Sequence, residues 1–189
     1  LAAVLAHMWA GHVALNFDLK QTLEKGYNGQ LSRKLLAVVD EINEGRQNDQ
    51  WPHAEKLKEM VTATRRRINE KYGLQWDEHN CCRWLLFSNH LSAIPLNDTD
   101  RRWQVIRNPE QPRPASYYAN LYALLEQPTF IAAVREWFLR RDLRRFNPGE
   151  PPTMNEAKRA MVEVSRSEAA ETAGELVRTW PVDVIAAPV

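Results

Sequence analysis

Leu35-Leu36-Ala37-Val38-Val39-Asp40-Glu41 is an uninterrupted apolar run that ends in two carboxylates. A run of this kind suits a strand buried on both faces, the situation in a parallel sheet covered by helices. The acids fall at the carboxyl end of the strand, where open α/β sheets bind their ligands. Upstream, residues 1–10 read as a helix closed near Gly11, His12 to Phe17 as a short strand, and Asp18 as the cap of a helix reaching Lys25. Gly26-Tyr27-Asn28-Gly29 is a turn. Downstream, a polar loop from Glu44 leads to a helix from Pro52 to Ala63, and Arg65 to Asn69 forms a strand with a turn at Tyr72-Gly73. Trp84 to Ser88 is a second buried strand, ending at Asn89-His90, and Trp103 to Arg107 is a third.

Beyond Pro109 the character changes to helices. Pro114 leads into one with Tyr117, Leu121, Leu124 and Leu125 on a single face, and Thr129 opens another carrying Phe130, Val134, Trp137 and Phe138. Asn147 to Pro152 is a linker, after which Thr153 and Glu156 form a capping box for a last helix to Thr179. The predicted architecture is an α/β sandwich over residues 1–110 with a C-terminal helical region over 111–189.

With 189 residues, 44% of them hydrophobic, the chain is long enough for a proper core. A formal charge of +1 makes no case for nucleic acid from bulk charge, so any such contact must come from local basic clusters. Cys81 and Cys82 are adjacent, which disfavours a disulfide and points to packing roles in a reducing cytoplasm. His79 and His90 lie nearby, but their spacing fits no usual zinc pattern. Leu1 to Trp9 is apolar but too short to span a bilayer, and no membrane segment is expected.

Three constellations carry chemistry. Asp40 and Glu41 sit behind their buried strand, where an acid can help hold a metal and a neighbour can polarise water; the bland alternative is a strand running into an acidic loop. Asn89 follows the second buried strand and offers a neutral amide to the same edge, although Asn also favours turns for local reasons. Asp100-Arg101-Arg102 supplies guanidinium forks that match phosphate, or else forms a solvated turn with a local ion pair.

Taken in order, the acid pair, the Asn and the arginine pair resemble the helicase part of phage and prophage primase–helicases, a branch of the superfamily three helicases among the AAA+ ATPases. Asp40-Glu41 is similar to the Walker B acids, Ser88-Asn89-His90 to the third motif, and Asp100-Arg101-Arg102 to the arginine-finger region. Tyr27-Asn28 with Leu31, Leu35 and Leu36 resembles the segment before Walker B, and Met154-Asn155-Glu156-Ala157-Lys158 resembles the C-terminal portion. The resemblance implies a P-loop NTPase fold, an ATP-hydrolysing DNA helicase acting in replication, and a hexameric ring with a primase fused or associated. It implies Asp40 on Mg²⁺, Glu41 on the attacking water, Asn89 sensing the γ-phosphate of ATP, and Arg101 or Arg102 reaching a neighbour's nucleotide. No Gly-rich segment followed by Lys-Ser or Lys-Thr occurs in the chain, so the resemblance places the phosphate loop upstream of Leu1.

In the slot of the DNA-binding hairpin of that family stand Lys58 to Asn69 and Glu70-Lys71-Tyr72-Gly73. Lys71 and Tyr72 are the candidates for DNA contact, since a cation beside an aromatic can hold a phosphate and pack on a base. Arg65, Arg66 and Arg67 could support them, with Arg67 the named candidate, but not all three can serve because consecutive strand residues point to opposite faces. From Arg135 to Phe146, five arginines surround Trp137 and Phe138. The apolar spacing there is accounted for by a core face, with a DNA or subunit contact as the alternative. Two rival functions stand beside the helicase: a non-catalytic DNA-binding or assembly remnant, and an AAA+ ATPase that does not unwind DNA.

Overall fold

A computed structural model of the chain describes residues 1–42, 47–166, 174, 175 and 177–179, without the side chains of 47–54. The expected polar-loop residues Glu44 to Arg46 and residues 167–173 and 176 of the expected last helix lie outside the described residues, as does Trp180-Pro181-Val182-Asp183, to which the sequence assigns no role. Helix α1 (Ala2–Met8) leads to strand β1 (Val13–Ala14), and α2 (Leu19–Lys25) follows. The Asp18 side chain accepts the Gln21 amide at 2.8 Å, and Gly26 ends the helix in the left-handed conformation at φ 75°. A single 3₁₀ turn at Gly29–Leu31 precedes β2 (Leu36–Val39). Next come α3 (Gln47–Thr62), the strands β3 (Arg65–Asn69) and β4 (Gln75–His79), and β5 (Arg83–Leu86). The helices α4 (Ala115–Leu125), α5 (Pro128–Leu139) and α6 (Glu156–Val164) complete the order.

The fold is mixed α/β. β2 lies between β1 and β5, parallel to both, with Leu36 beside Val13 and Arg83, and Val39 beside Leu86. All of β2 is buried, as its unbroken apolar run requires, and each fully buried Val or Leu side chain contributes roughly 1.5–3 kcal/mol. Around it pack Phe17, Leu19, Leu23, Leu31, Ile42 and Leu57. Phe17 meets Trp84 edge-on at a centroid distance of 5.5 Å. β3 and β4 form a separate antiparallel hairpin in which Arg67 faces Asp77 and Ile68 faces Trp76.

Several expectations are corrected. Trp103 to Arg107 is irregular rather than a third buried strand, so the parallel sheet has three strands among the described residues. The segment pairs with neither edge strand of the sheet and is held instead by the Asp100 turn and by the Asn155 amide, which donates to Val105 at 2.8 Å. The helix expected from Pro52 runs from Gln47, so that Pro52 lies within it rather than at its start. The cap of α6 is Asn155, whose side chain accepts the Lys158 amide at 2.8 Å, not Thr153. α6 ends at Val164, so the helix predicted through Thr179 is not continuous. The aromatic face of α5 is not core: no residue of α4 or α5 is fully buried, and Trp137 and Phe138 are 58% and 42% exposed. Apolar spacing alone does not say whether a partner element is present to cover the face. Among the described residues, no helix is long and apolar enough to cross a membrane.

Candidate functional site

The carboxyl edge of the sheet is built by hydrogen bonds between two strand ends. The Phe87 amide donates to Val39 at 2.9 Å, the Ile42 amide to Phe87 at 3.0 Å, and the Ser88 hydroxyl to the Ile42 carbonyl at 2.9 Å. This lacing carries Asp40 and Glu41 to the same edge as Ser88-Asn89. Glu41 holds a left-handed φ of 51° and Asn16, from the end of β1, one of 49°. Such backbone is uncommon outside glycine. Asp40 and Glu41 are exposed and line an open cleft of about 500 Å³ with Asn16, Asp18 and Lys20. Asn89 is exposed at the same edge but outside that cleft. Among the described residues no three His, Cys, Asp or Glu side chains converge as a metal site.

The Asp100-Arg101-Arg102 turn is organised differently. Asp100 is buried, and its Oδ1 accepts the amides of Arg102 and Trp103, both at 3.0 Å. The Lys158 ammonium, from α6, donates to the Asp100 carbonyl at 2.6 Å and to Oδ1 at 3.3 Å. Both side chains are almost wholly enclosed, at 1% and 3% exposure. Arg102 is half-buried, 3.9 Å from the Asp100 carboxylate, and its Nε finds no acceptor, while Arg101 is exposed. The sequence reading passed over Lys158 as a functional-looking position. Its signal was a lysine set four residues before Val162, on the buried face of an amphipathic helix, where an ammonium needs a partner.

The β3–β4 hairpin has a locked base and a free tip. Arg66 donates from Nη2 to Glu78 at 2.7 Å and also to the Leu31 carbonyl, and Glu78 further accepts the Ser32 hydroxyl at 3.3 Å and the Arg33 amide at 3.2 Å. Burial pushes the Glu78 carboxyl up, but these hydrogen bonds and the Arg66 charge outweigh it, and the group lies below its ordinary value. Asn28 extends the lock. Its side chain donates to the Arg67 carbonyl at 2.8 Å and accepts the Asn69 amide at 2.7 Å. Arg67 lies on the opposite, exposed face and pairs with Asp77 at 3.1 Å. At the tip, the Lys71 ammonium sits 5.1 Å from the centre of the Tyr72 ring. Tyr72 and Leu74 are 95% and 87% exposed, and Tyr72 holds a left-handed φ of 66°.

A mixed α/β unit with a ligand-type sheet edge and a protruding basic–aromatic hairpin is thus defined. Residues 1–102 match the family described as a family of unknown function (DUF5906), and the chain belongs to that family. A DNA primase-polymerase of Nitratiruptor phage NrS-1 is 24% identical over 106 residues, covering 56% of this chain and 15% of the relative. The chain therefore spans a small part of that curated relative's length. The apo structure of the NrS-1 C terminal region (305-718) superposes with a TM-score of 0.71 at 22% identity, over 92% of this chain and 41% of that one. An A form apo structure of the same region gives 0.69 at 23% identity, over 93% and 40%. At these identities the structural likeness concerns the fold.

These findings correct the superfamily three assignment. The family is DUF5906 and the relative's activity is that of a primase-polymerase, so the reading as an ATP-binding, ATP-hydrolysing helicase truncated after its phosphate loop falls. The physical reason lies in the motifs. Apolar strands that run into polar loops produce acid-then-Asn order in many α/β proteins, although here only β2 is fully buried and β5 is half-buried, and short motifs without their structural context discriminate poorly. The Asp100-Arg101-Arg102 turn is held in place by Asp100 against Lys158, a structural arrangement.

Proposed function

We propose that this chain is a DNA-contacting segment of a phage-type replication protein, and that the tip of the β3–β4 hairpin makes the contact through Lys71 and Tyr72 with Arg67 in support. The observation that carries this reading is the tip itself. A bulky residue in left-handed backbone costs roughly 1–2 kcal/mol, and Tyr72 bears that cost while burying almost nothing within the chain. Backbone strain retained at an exposed position is a pointer to function. Lys71 supplies a cation for a phosphate, and the Tyr72 ring supplies a face for an unpaired base. The locked base, Arg66 with Glu78 and Asn28 with Asn69, holds the tip out from the body. The phage primase-polymerase relative supports DNA as the partner.

The acid edge supports a companion assignment, Asp40 with Glu41 toward a Mg²⁺ ion that accompanies a phosphate. Magnesium is usually held by one or two carboxylates, with water and phosphate oxygens completing its shell, so two acids at the edge suffice in number. Asn89, at the same edge, is suited to hydrogen-bond that phosphate without adding charge.

Anisotropy of a fluorescein-labelled oligothymidylate titrated with the full chain tests the hairpin. Tyr72→Gly relieves the left-handed strain and so leaves the fold intact or firmer, yet it should weaken binding about tenfold, in line with ~1–3 kcal/mol per stacked base. Lys71→Ala should weaken it less and reduce its salt dependence. Unchanged affinity in both variants overturns the hairpin reading.

A further inference from the structure

The stretch from Arg135 to Phe146 has the composition of a binding surface, and the fold leaves it uncovered. It holds five arginines and two acids in a chain whose net charge is only +1. Both acids are already committed: Glu136 pairs with Arg140 at 2.6 Å and Asp142 with Arg144 at 2.8 Å. Arg135, Arg141 and Arg145 have no acidic partner among the described residues. The Arg141 guanidinium instead stands 5.5 Å from the centre of the Trp137 ring, and Trp137 meets Phe138 edge-on at 5.0 Å. The rings are held at defined angles by their neighbours while more than half of Trp137 faces solvent.

From this geometry we infer that the C-terminal end of α5 and the loop after it form a second contact for single-stranded DNA. The inference rests on the reading of the chain as a DNA-contacting segment and extends it to a surface the hairpin does not include. The charge decides among partners. A hydrophobic partner would have to desolvate three arginines that find no acid of their own, at a cost that an apolar contact does not offset. A polyanion gains from the same three charges by releasing its counterions. The rings decide the strand state, since an indole stacks on the face of an unpaired base, and a duplex keeps its bases covered. Guanidinium over indole is itself an arrangement that single-stranded sites use, with the cation reaching a phosphate while the ring remains available on its other side.

The test is the same oligothymidylate titration with variants at each surface. Arg141→Glu/Arg145→Glu should weaken binding tenfold or more and lower the slope of log affinity against log salt by about 1.4, as expected for two lost phosphate contacts on a single strand. Trp137→Ala should weaken binding by roughly five- to 100-fold with the salt slope kept. An equal charge reversal elsewhere on the surface, Lys25→Glu/Arg159→Glu, should have a far smaller effect; an effect as large as that of the arginine pair means bulk charge alone and overturns the proposal. If the arginine pair binds like wild type while Tyr72→Gly loses affinity, this surface is excluded and the hairpin reading stands. The converse result supports this surface and removes the hairpin. If the wild-type chain binds no oligothymidylate, both fall. If Arg141→Glu/Arg145→Glu alters the sedimentation coefficient and leaves DNA affinity unchanged, the face is a contact between copies of the chain and the proposal is overturned.

Discussion

The Lys158 ammonium, enclosed to 1% exposure, lies 2.6 Å from the Asp100 carbonyl oxygen and 3.3 Å from its carboxylate, joining α6 to the turn that carries Arg101 and Arg102. Nothing in the spacing of either segment announces this pair, which spans 58 positions of sequence. It fixes the turn because Asp100 also accepts two amides within it.

Removing one member of a buried ion pair leaves the other uncompensated, at about 3–5 kcal/mol. Asp100→Ala and Lys158→Met should each lower the unfolding free energy extrapolated from urea titration by an amount in that range. The double variant should cost clearly less than the two together, because neither charge is then stranded. Additive losses would show that the two side chains are not energetically coupled.

The close approach of Gly29 to the hairpin gives a second expectation. A Cβ placed on Gly29 would stand 2.6 Å from Glu70 Cγ, too close for any real contact, at the base of the Lys71–Tyr72 tip. Gly29→Ala should therefore destabilise the chain by about 1–3 kcal/mol through overpacking. Glu70→Ala removes the clashing atom, and in that background Gly29→Ala should be nearly neutral by thermal melting. Failure of this rescue would place the strain elsewhere.

Acid sensitivity should be traceable to Glu78. Its carboxyl lies below its ordinary 4.5 in the folded chain, since hydrogen bonds from Arg66, Arg33 and Ser32 and the charge of Arg66 outweigh burial. A depressed folded value means that the stabilisation is fully present above about pH 4.5 and is lost as pH falls through the folded value. Urea midpoints measured from pH 6 downward should drop more steeply for wild type than for Glu78→Gln, which starts less stable. Parallel curves would exclude Glu78 as the source.

Much of the scaffold was legible locally. The apolar run at Leu36–Val39, the cap at Asp18 and the hairpin turn at Tyr72-Gly73 are short-range signals, and they placed β2, α2 and the tip of β3–β4. The position of Asp40 and Glu41 at a sheet edge followed from β2 alone. β4 was missed because Gln75 to His79 is mostly exposed and polar, and its strand character comes from pairing with β3. Trp103 to Arg107 was misread for the opposite reason, since it has a strand's composition and no strand beside it.

By itself, then, the sequence determined where chain segments turn, which strand is buried on both faces, and which polar residues leave the ends of β2 and β5. Only the tertiary structure decided what those residues face. It sorted Arg66, locked on Glu78, from Arg67 on the open side, and it gave the Asp100 turn a buried lysine from a distant helix. It also left Trp137 and Phe138 facing solvent. Helical and strand periods are set by backbone geometry within a few residues. Burial and charge pairing depend on which distant segment arrives, and no local pattern contains that.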